Sequence, residues 1–279
     1  MALTVGASAL WGTSFVAVSV GLQYSSPYVL LFERFFVASV AILALGVFSR
    51  SARIWPEIRR PRTWAISGVY AAAFLLQFLG QDAAGASASA LLSNLFVVFV
   101  PVVAFFALRE HIPASSKAAA ALSVVGIVFV LPSGLHVTST TLGDFLLLGA
   151  SVGYTLFIVL GKKYDISSLA SSFAIIVSMT VIMAPLAAIE GGPFALNTLL
   201  ATAQWESVLW LGVPCTVIAL AMYTRGLSSI RATQSATLLL LEIMIGVVLS
   251  VSLLGNMLST TQVFGAGIIG LAMLLSSYR

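Results

Sequence analysis

Charge is what this sequence has least of. Only 8% of its 279 residues are Asp, Glu, Lys or Arg, against about 25% in a soluble domain, which excludes a water-soluble globular fold. Cysteine is nearly absent: the single Cys215 cannot form an intrachain disulfide and indicates no redox compartment. The two histidines, His111 and His136, both fall in connecting segments. There is no His-Glu-x-x-His run and no cysteine cluster, so neither a metal nor a cofactor is expected. A phosphate loop is missing as well. "VLGKKY" from Val159 comes nearest, but Leu156 stands where the first glycine belongs and Lys163 follows Lys162, so ATP hydrolysis has no basis.

The chain is filled instead with apolar residues, 60% of the total, for a mean hydropathy of +1.09. A membrane-crossing helix needs about 20 such residues in a row. Ten stretches qualify: Ala2 to Gly21, Pro27 to Phe48, Thr63 to Gly80, Ala84 to Leu108, Ala114 to Leu131, Leu142 to Leu160, Leu169 to Ile189, Gln204 to Tyr223, Ala232 to Leu254 and Thr260 to Ser277. They leave no room for a soluble domain and are too long for barrel strands, so helices are expected throughout. The first lacks a basic leader and an evident signal-peptidase site, and is expected to be a retained helix.

The cations give direction. Arg50, Arg53, Arg59, Arg60 and Arg62 follow the second span. Arg109 and Lys117 follow the fourth, Lys162 and Lys163 the sixth, Arg225 and Arg231 the eighth, and Arg279 ends the chain. Twelve of the thirteen basic residues thus share one side, which the positive-inside rule makes cytoplasmic. Both termini are then expected in the cytoplasm. The short basic run at Arg59, Arg60 and Arg62 is read as a topology determinant in contact with anionic lipid, not as a nucleic-acid site.

The sequence also resembles itself. "SALLSNLFVVFVPVVAFFALRE" from Ser89 aligns without gaps on "SATLLLLEIMIGVVLSVSLLGN" from Ser235, and "ALWGTSF" from Ala9 aligns more weakly on "ASVGYTL" from Ala150. Five crossings per half is an odd number, so the second half must enter the membrane from the opposite side. Residues 1–137 and 138–279 are therefore expected to form an inverted pair, an architecture typical of secondary transporters.

"WGTSF" at Trp11, "SPYVLLFERFFVASVAILAL" from Ser26 and "FFALREHIPASSKAAAALSVVGIVFVL" from Phe105 resemble the EamA repeat of the drug/metabolite transporter superfamily, and the resemblance covers nearly the whole chain. Arg34 matches the arginine common in the family's second helix, and Glu110 the glutamate that ends its fourth. Asn256 replaces that glutamate in the second half. Ile243 stands where a Leu-Glu-Pro run often has its proline, leaving "LLE" at Leu240 to Glu242. The resemblance implies an all-α protein of ten helices around a central cavity, in the bacterial inner membrane. It also implies export or exchange of small metabolites, amino acids foremost, by alternating access, without enzyme activity. A multidrug carrier, a nucleotide-sugar or sugar-phosphate carrier and a passive channel stand as alternatives. The bilayer and a small-molecule substrate are the expected partners, with no nucleic acid, and a monomer is expected.

Within this frame, polar groups at depth are the candidate site. Glu242 lies eleven residues beyond Arg231, about 16 Å at 1.5 Å per residue, near the middle of a core about 30 Å thick. A charge there costs roughly 2.5 to 3.5 kcal/mol on insertion scales. Glu242 either faces the path, to bind an ammonium group or carry a proton, or is a buried acid hydrogen-bonded to a neighbouring helix. Ser235 lies on nearly the same face. Tyr70, Gln77 and Gln81 form one stripe with Phe74 and Phe78, readable as cavity wall or as a hydrogen-bonded seam. Ser87 and Asn94 face together in the fourth span, with the same two readings. Trp11, with Ser8 and Phe15 at helical spacing, and Ser14 beside it, are candidates for the chamber wall. So are Tyr154 and Thr155, next to the glycine face of Gly149, Gly153 and Gly161, which is read as packing. Glu33 and Arg34, about 100° apart on their helix, are embedded charges read as a structural pair or as a binding cation. Pro101, Pro185 and Pro214 each remove a backbone hydrogen bond and are hinge candidates.

Overall fold

The computed structural model describes residues 1–48, 54–109, 114–130, 141–191, 205–254 and 260–277. Every regular element in them is helical: α1 (Ala2–Gly21), α2 (Pro27–Phe48), α3 (Ile54–Ile58), α4 (Pro61–Leu92), a 3-10 turn (Ser93–Leu95), α5 (Phe96–Leu108), α6 (Ala114–Val130), α7 (Thr141–Tyr164), α8 (Leu169–Gly191), α9 (Trp205–Gly212), a π turn (Val213–Ile218), α10 (Ala219–Leu227), α11 (Ala232–Leu239), α12 (Leu241–Leu254) and α13 (Thr260–Ser277). Arg50, Arg53, Glu110, His111, His136, Asn256 and Arg279 lie outside the described residues.

Six helical stretches are long and apolar enough to cross a bilayer: Ala2–Gly21, Pro27–Ala44, Pro61–Gly85, Leu142–Tyr164, Leu169–Glu190 and Trp205–Leu227. Burial agrees with a lipid surround. Phe106 is 76% exposed and Ile189 83%, while Arg34, Asn94, Ser8 and Ser123 are buried. Apolar side chains outside and polar ones inside reverse the soluble pattern, and the chain is a multi-pass membrane protein. Trp55, Trp64, Trp205 and Trp210 are exposed near helix ends, as interfacial indoles are.

Several expected spans are not continuous. The helical run from Pro61 to Leu92 is interrupted at Gly85, whose φ of 84° and ψ of 169° only glycine adopts easily. The expected fourth span breaks again at Ser93–Leu95. There the Ser93 hydroxyl donates to the Ser89 carbonyl, and Asn94 Nδ2 donates to the Ala90 carbonyl at 2.8 Å. Side chains thus compete for helix acceptors, and the backbone tightens to the 3-10 form. The expected ninth span breaks at Leu240, where i→i−3 bonds run from Leu240 N to Thr237 O (3.2 Å) and from Ile243 N to Leu240 O (3.1 Å). In the alignment of Ser89 with Ser235, Asn94 falls opposite Leu240, so both breaks occupy one position of the repeat.

The helices pack in pairs: α1 on α10 and α12, α7 on α4 and α5, α2 on α8, and α6 on α13. Glycine permits the closest approaches. A Cβ at Gly12 would stand 2.7 Å from Ile245 Cβ, one at Gly153 2.7 Å from Ala73 Cβ, and one at Gly126 2.7 Å from Ile269. Gly149 meets Leu76 and Gly161 meets Ile166, so this glycine face does serve packing. Pro101 and Pro185 sit inside uninterrupted helices. Pro214 alone of the three hinge candidates coincides with irregular backbone, the π turn.

Candidate functional site

A narrow cavity of about 50 Å³ lies between the helix pairs. Its walls come from six stretches of chain. α1 gives Trp11, Ser14 and Phe15, and α4 gives Tyr70, Phe74 and Gln77. Phe96 opens α5. Tyr154, Phe157 and Ile158 come from α7, Tyr223 from α10, and Leu239 and Glu242 flank the break at Leu240. A wider groove of about 520 Å³ between α5 and α6 is apolar apart from Lys117, and offers few polar groups to orient a solute.

Aromatic rings dominate the cavity. Tyr70 stacks on Phe157 with centroids 3.7 Å apart and planes at 6°. Trp11 meets Tyr223 at 5.2 Å, and Phe74 meets Tyr154 edge-on at 5.6 Å. Such contacts lock each ring by its neighbours, giving a stiff wall with few polar points. One is Tyr154, whose hydroxyl donates to Gln77 Oε1. Another is Glu242, whose carboxylate reaches the cavity with the Asn94 side chain near it. Glu242 thus lines the cavity from the first turn of α12.

The break at Leu240 puts Glu242 in place. The Leu239 carbonyl accepts the Ser8 hydroxyl at 2.9 Å, and the Glu242 carbonyl passes close over Gly12. α1 thus holds the end of α11 and the start of α12 together, with the carboxylate in the first turn of α12.

Next to the Trp11, Tyr70 and Phe74 wall lies a much smaller hollow of about 10 Å³, lined in part by Arg34. The guanidinium is buried; its Nε donates to Thr216 Oγ1 at 2.8 Å and its Nη2 to the Cys215 carbonyl at 3.2 Å. Phe74 stacks beneath it, 4.6 Å from the ring centroid, a favourable cation–π distance. Trp11 Nε1 donates to the same Cys215 carbonyl at 2.8 Å. Two side chains, from α1 and α2, thus share one carbonyl of the π turn around Pro214.

Of the residues singled out by sequence, Trp11, Ser14, Tyr70, Gln77, Tyr154 and Glu242 meet in the cavity. The others stand elsewhere. Gln81 reaches α1, donating to the Phe15 carbonyl at 3.2 Å and to Ser19 Oγ at 3.1 Å, so it seams helices. Thr155 turns back to the Ser151 carbonyl, and Ser235 donates to the Tyr223 hydroxyl at 3.3 Å from behind the wall. Asn94 is buried one layer out, near Glu242. Glu33 is buried beside Arg34 in sequence but is not among the lining residues. The side chain of Ser87 lies outside the described residues. Sequence reasoning missed Phe96, Phe157, Ile158, Tyr223 and Leu239. It weighted polar groups, and an aromatic in an apolar span carries no mark of facing a cavity rather than lipid.

Comparison with known proteins agrees with this picture. The model of the EamA-like transporter family matches residues 1–131 and again 141–278. An uncharacterized transporter of Archaeoglobus fulgidus is 26% identical over 240 residues, covering 81% of this chain and 79% of its own. A second one from the same organism is 24% identical over 272 residues, covering 97% and 83%. A crystal structure superposes with a TM-score of 0.80 at 16% identity, over 99% of this chain and 96% of the other, a likeness of fold.

Proposed function

The chain belongs to the EamA-like transporter family, and on that premise we propose that it is a secondary carrier of small ammonium-bearing metabolites, amino acids foremost. It moves them outward across a bacterial inner membrane by alternating access. The observation that carries this reading is the Glu242 carboxylate, set in a cavity walled by aromatic rings with Asn94 near it. A carboxylate with π faces around it suits an ammonium group, and the rings suit the apolar part of an amino acid.

Alternating access is supported by the repeat. The breaks at Asn94 and Leu240 fall at one repeat position. Exchanging the halves turns the contact of α1 with α10 and α12 into that of α7 with α4 and α5, and leaves the pairs α2–α8 and α6–α13 unchanged. Two five-span halves of opposite direction, ten spans in all, fit this pattern. Cytoplasmic termini follow from the cation distribution. The eight rings in the wall (Trp11, Phe15, Tyr70, Phe74, Phe96, Tyr154, Phe157 and Tyr223) favour a second reading, a carrier of aromatic amines of the multidrug kind. Counterflow in liposomes against a panel of amino acids and aromatic amines, with and without a pH gradient, separates the two. Saturable exchange of amino acids supports the first reading. Exchange confined to amines selects the second, and linear flux without counterflow makes the protein a channel.

A further inference from the structure

We infer that Arg34 is the carboxylate-binding pole of the transport site, so that the cargo is a zwitterion held between Arg34 and Glu242. The inference rests on the carrier reading above and deepens it.

Three observations carry it. First, Arg34 is 1% exposed, and no ion pair of its guanidinium is found among the described residues. A buried guanidinium without an anion is costly in a membrane, and such residues mark substrate paths. Second, its hydrogen bonding is incomplete. Of five N–H donors, one goes to Thr216 and one to the Cys215 carbonyl, and the remainder find no acceptor among the described residues. Third, its hollow shares Trp11, Tyr70 and Phe74 with the main cavity. The guanidinium and the Glu242 carboxylate therefore border two hollows that share one aromatic wall, each without an ion pair among the described residues.

Two opposite charges left apart form a neutral receptor for a molecule carrying both. The carboxylate of an α-amino acid would take the unused N–H edge of Arg34, a geometry suited to forked binding. Its ammonium group would lie toward Glu242. Entry of the carboxylate requires the Trp11, Tyr70 and Phe74 side chains to part, which makes Trp11, already bonded to the Cys215 carbonyl, the side chain that links occupancy to the π turn.

The test uses proteoliposome counterflow with leucine and phenylalanine, each beside its methyl ester and its decarboxylated amine. In the unaltered protein the free acids should exchange and compete on the order of a hundredfold better than esters or amines, the scale of leaving a buried charged donor unpaired. Arg34→Gln should abolish that preference, depressing exchange of the acids while amines retain theirs. Esters and amines that exchange as well as the acids in the unaltered protein overturn the assignment and leave the carrier reading standing. This arm does not depend on a variant folding. If none of the six compounds exchanges, the carrier reading fails and the assignment fails with it. An Arg34→Gln protein that still prefers acids by the unaltered ratio also overturns it.

Discussion

The two broken helices share a position in the repeat and differ in everything chemical. In the first half the break holds Asn94, whose amide donates to the Ala90 carbonyl and lies near the Glu242 side chain. In the second it holds Leu240, an apolar residue, and the carboxylate follows two residues later in α12. At the position aligned with Glu242 the first half has Phe96, which also lines the cavity. A duplicated backbone feature has thus been kept while its side chains diverged. One half supplies the carboxylate, the other an amide near it and a ring that lines the same cavity. A site built across such a pair needs both breaks but only one carboxylate.

The largest expected effect comes from removing that carboxylate. Glu242→Gln should lower the apparent affinity for amino acids on the order of a hundredfold, a loss of about 3 kcal/mol typical of a buried charged partner, with the purified protein still folded. Uptake unchanged at every pH would take Glu242 out of the mechanism. Next come the helix contacts that bring the two breaks together. Gly12→Val drives a side chain into Ile245 and the Glu242 carbonyl, and Gly153→Val does the same against Ala73. Each should destabilise by about 1 to 3 kcal/mol, seen as a lower midpoint in detergent melting. If the halves are matched, the two losses should be alike, and a wild-type midpoint in either variant would break the symmetry. Asn94→Leu then tests the amide. If the amide bonds the carboxylate during transport, a hydrogen bond to a charged group worth about 1.5 to 3 kcal/mol is lost, so half-saturation should rise tenfold or more, while Leu240→Met, its counterpart, should change it less than twofold. Equal effects at the two positions would refute the division of labour. The smallest effect belongs to Tyr154→Phe, which removes the hydroxyl held by Gln77. About 1 kcal/mol should appear as a few-fold rise in half-saturation, and a hundredfold change would mean that this hydroxyl contacts the cargo directly.

The polar residues of the cavity wall were legible in the sequence because they follow from hydrophobicity: Gln77, Tyr154 and Glu242 stand out in apolar surroundings. The breaks were only half legible. Ser93 and Asn94 are the residue types that compete with a helix for its carbonyls, but Leu240 carries no such mark. Its break depends on the Ser8 hydroxyl of α1 taking the Leu239 carbonyl, a contact across 231 residues. The aromatic lining was hidden for a similar reason. Phe157 and Tyr223 differ from lipid-facing rings only in the partners that meet them. Gln81 follows Gln77 by one helical turn and shares its stripe, yet it reaches past the cavity to α1. Periodicity assigns a face, and the neighbouring helix decides whether that face is a wall or a seam.

The most direct test of a central cavity that opens to each side in turn is labelling of one residue in its wall. In a chain with Cys215→Ser and Ser14→Cys, a membrane-impermeant thiol reagent should reach residue 14 from either face of the membrane, and substrate should slow both reactions. Labelling from one face alone, at a rate substrate does not change, would contradict the account.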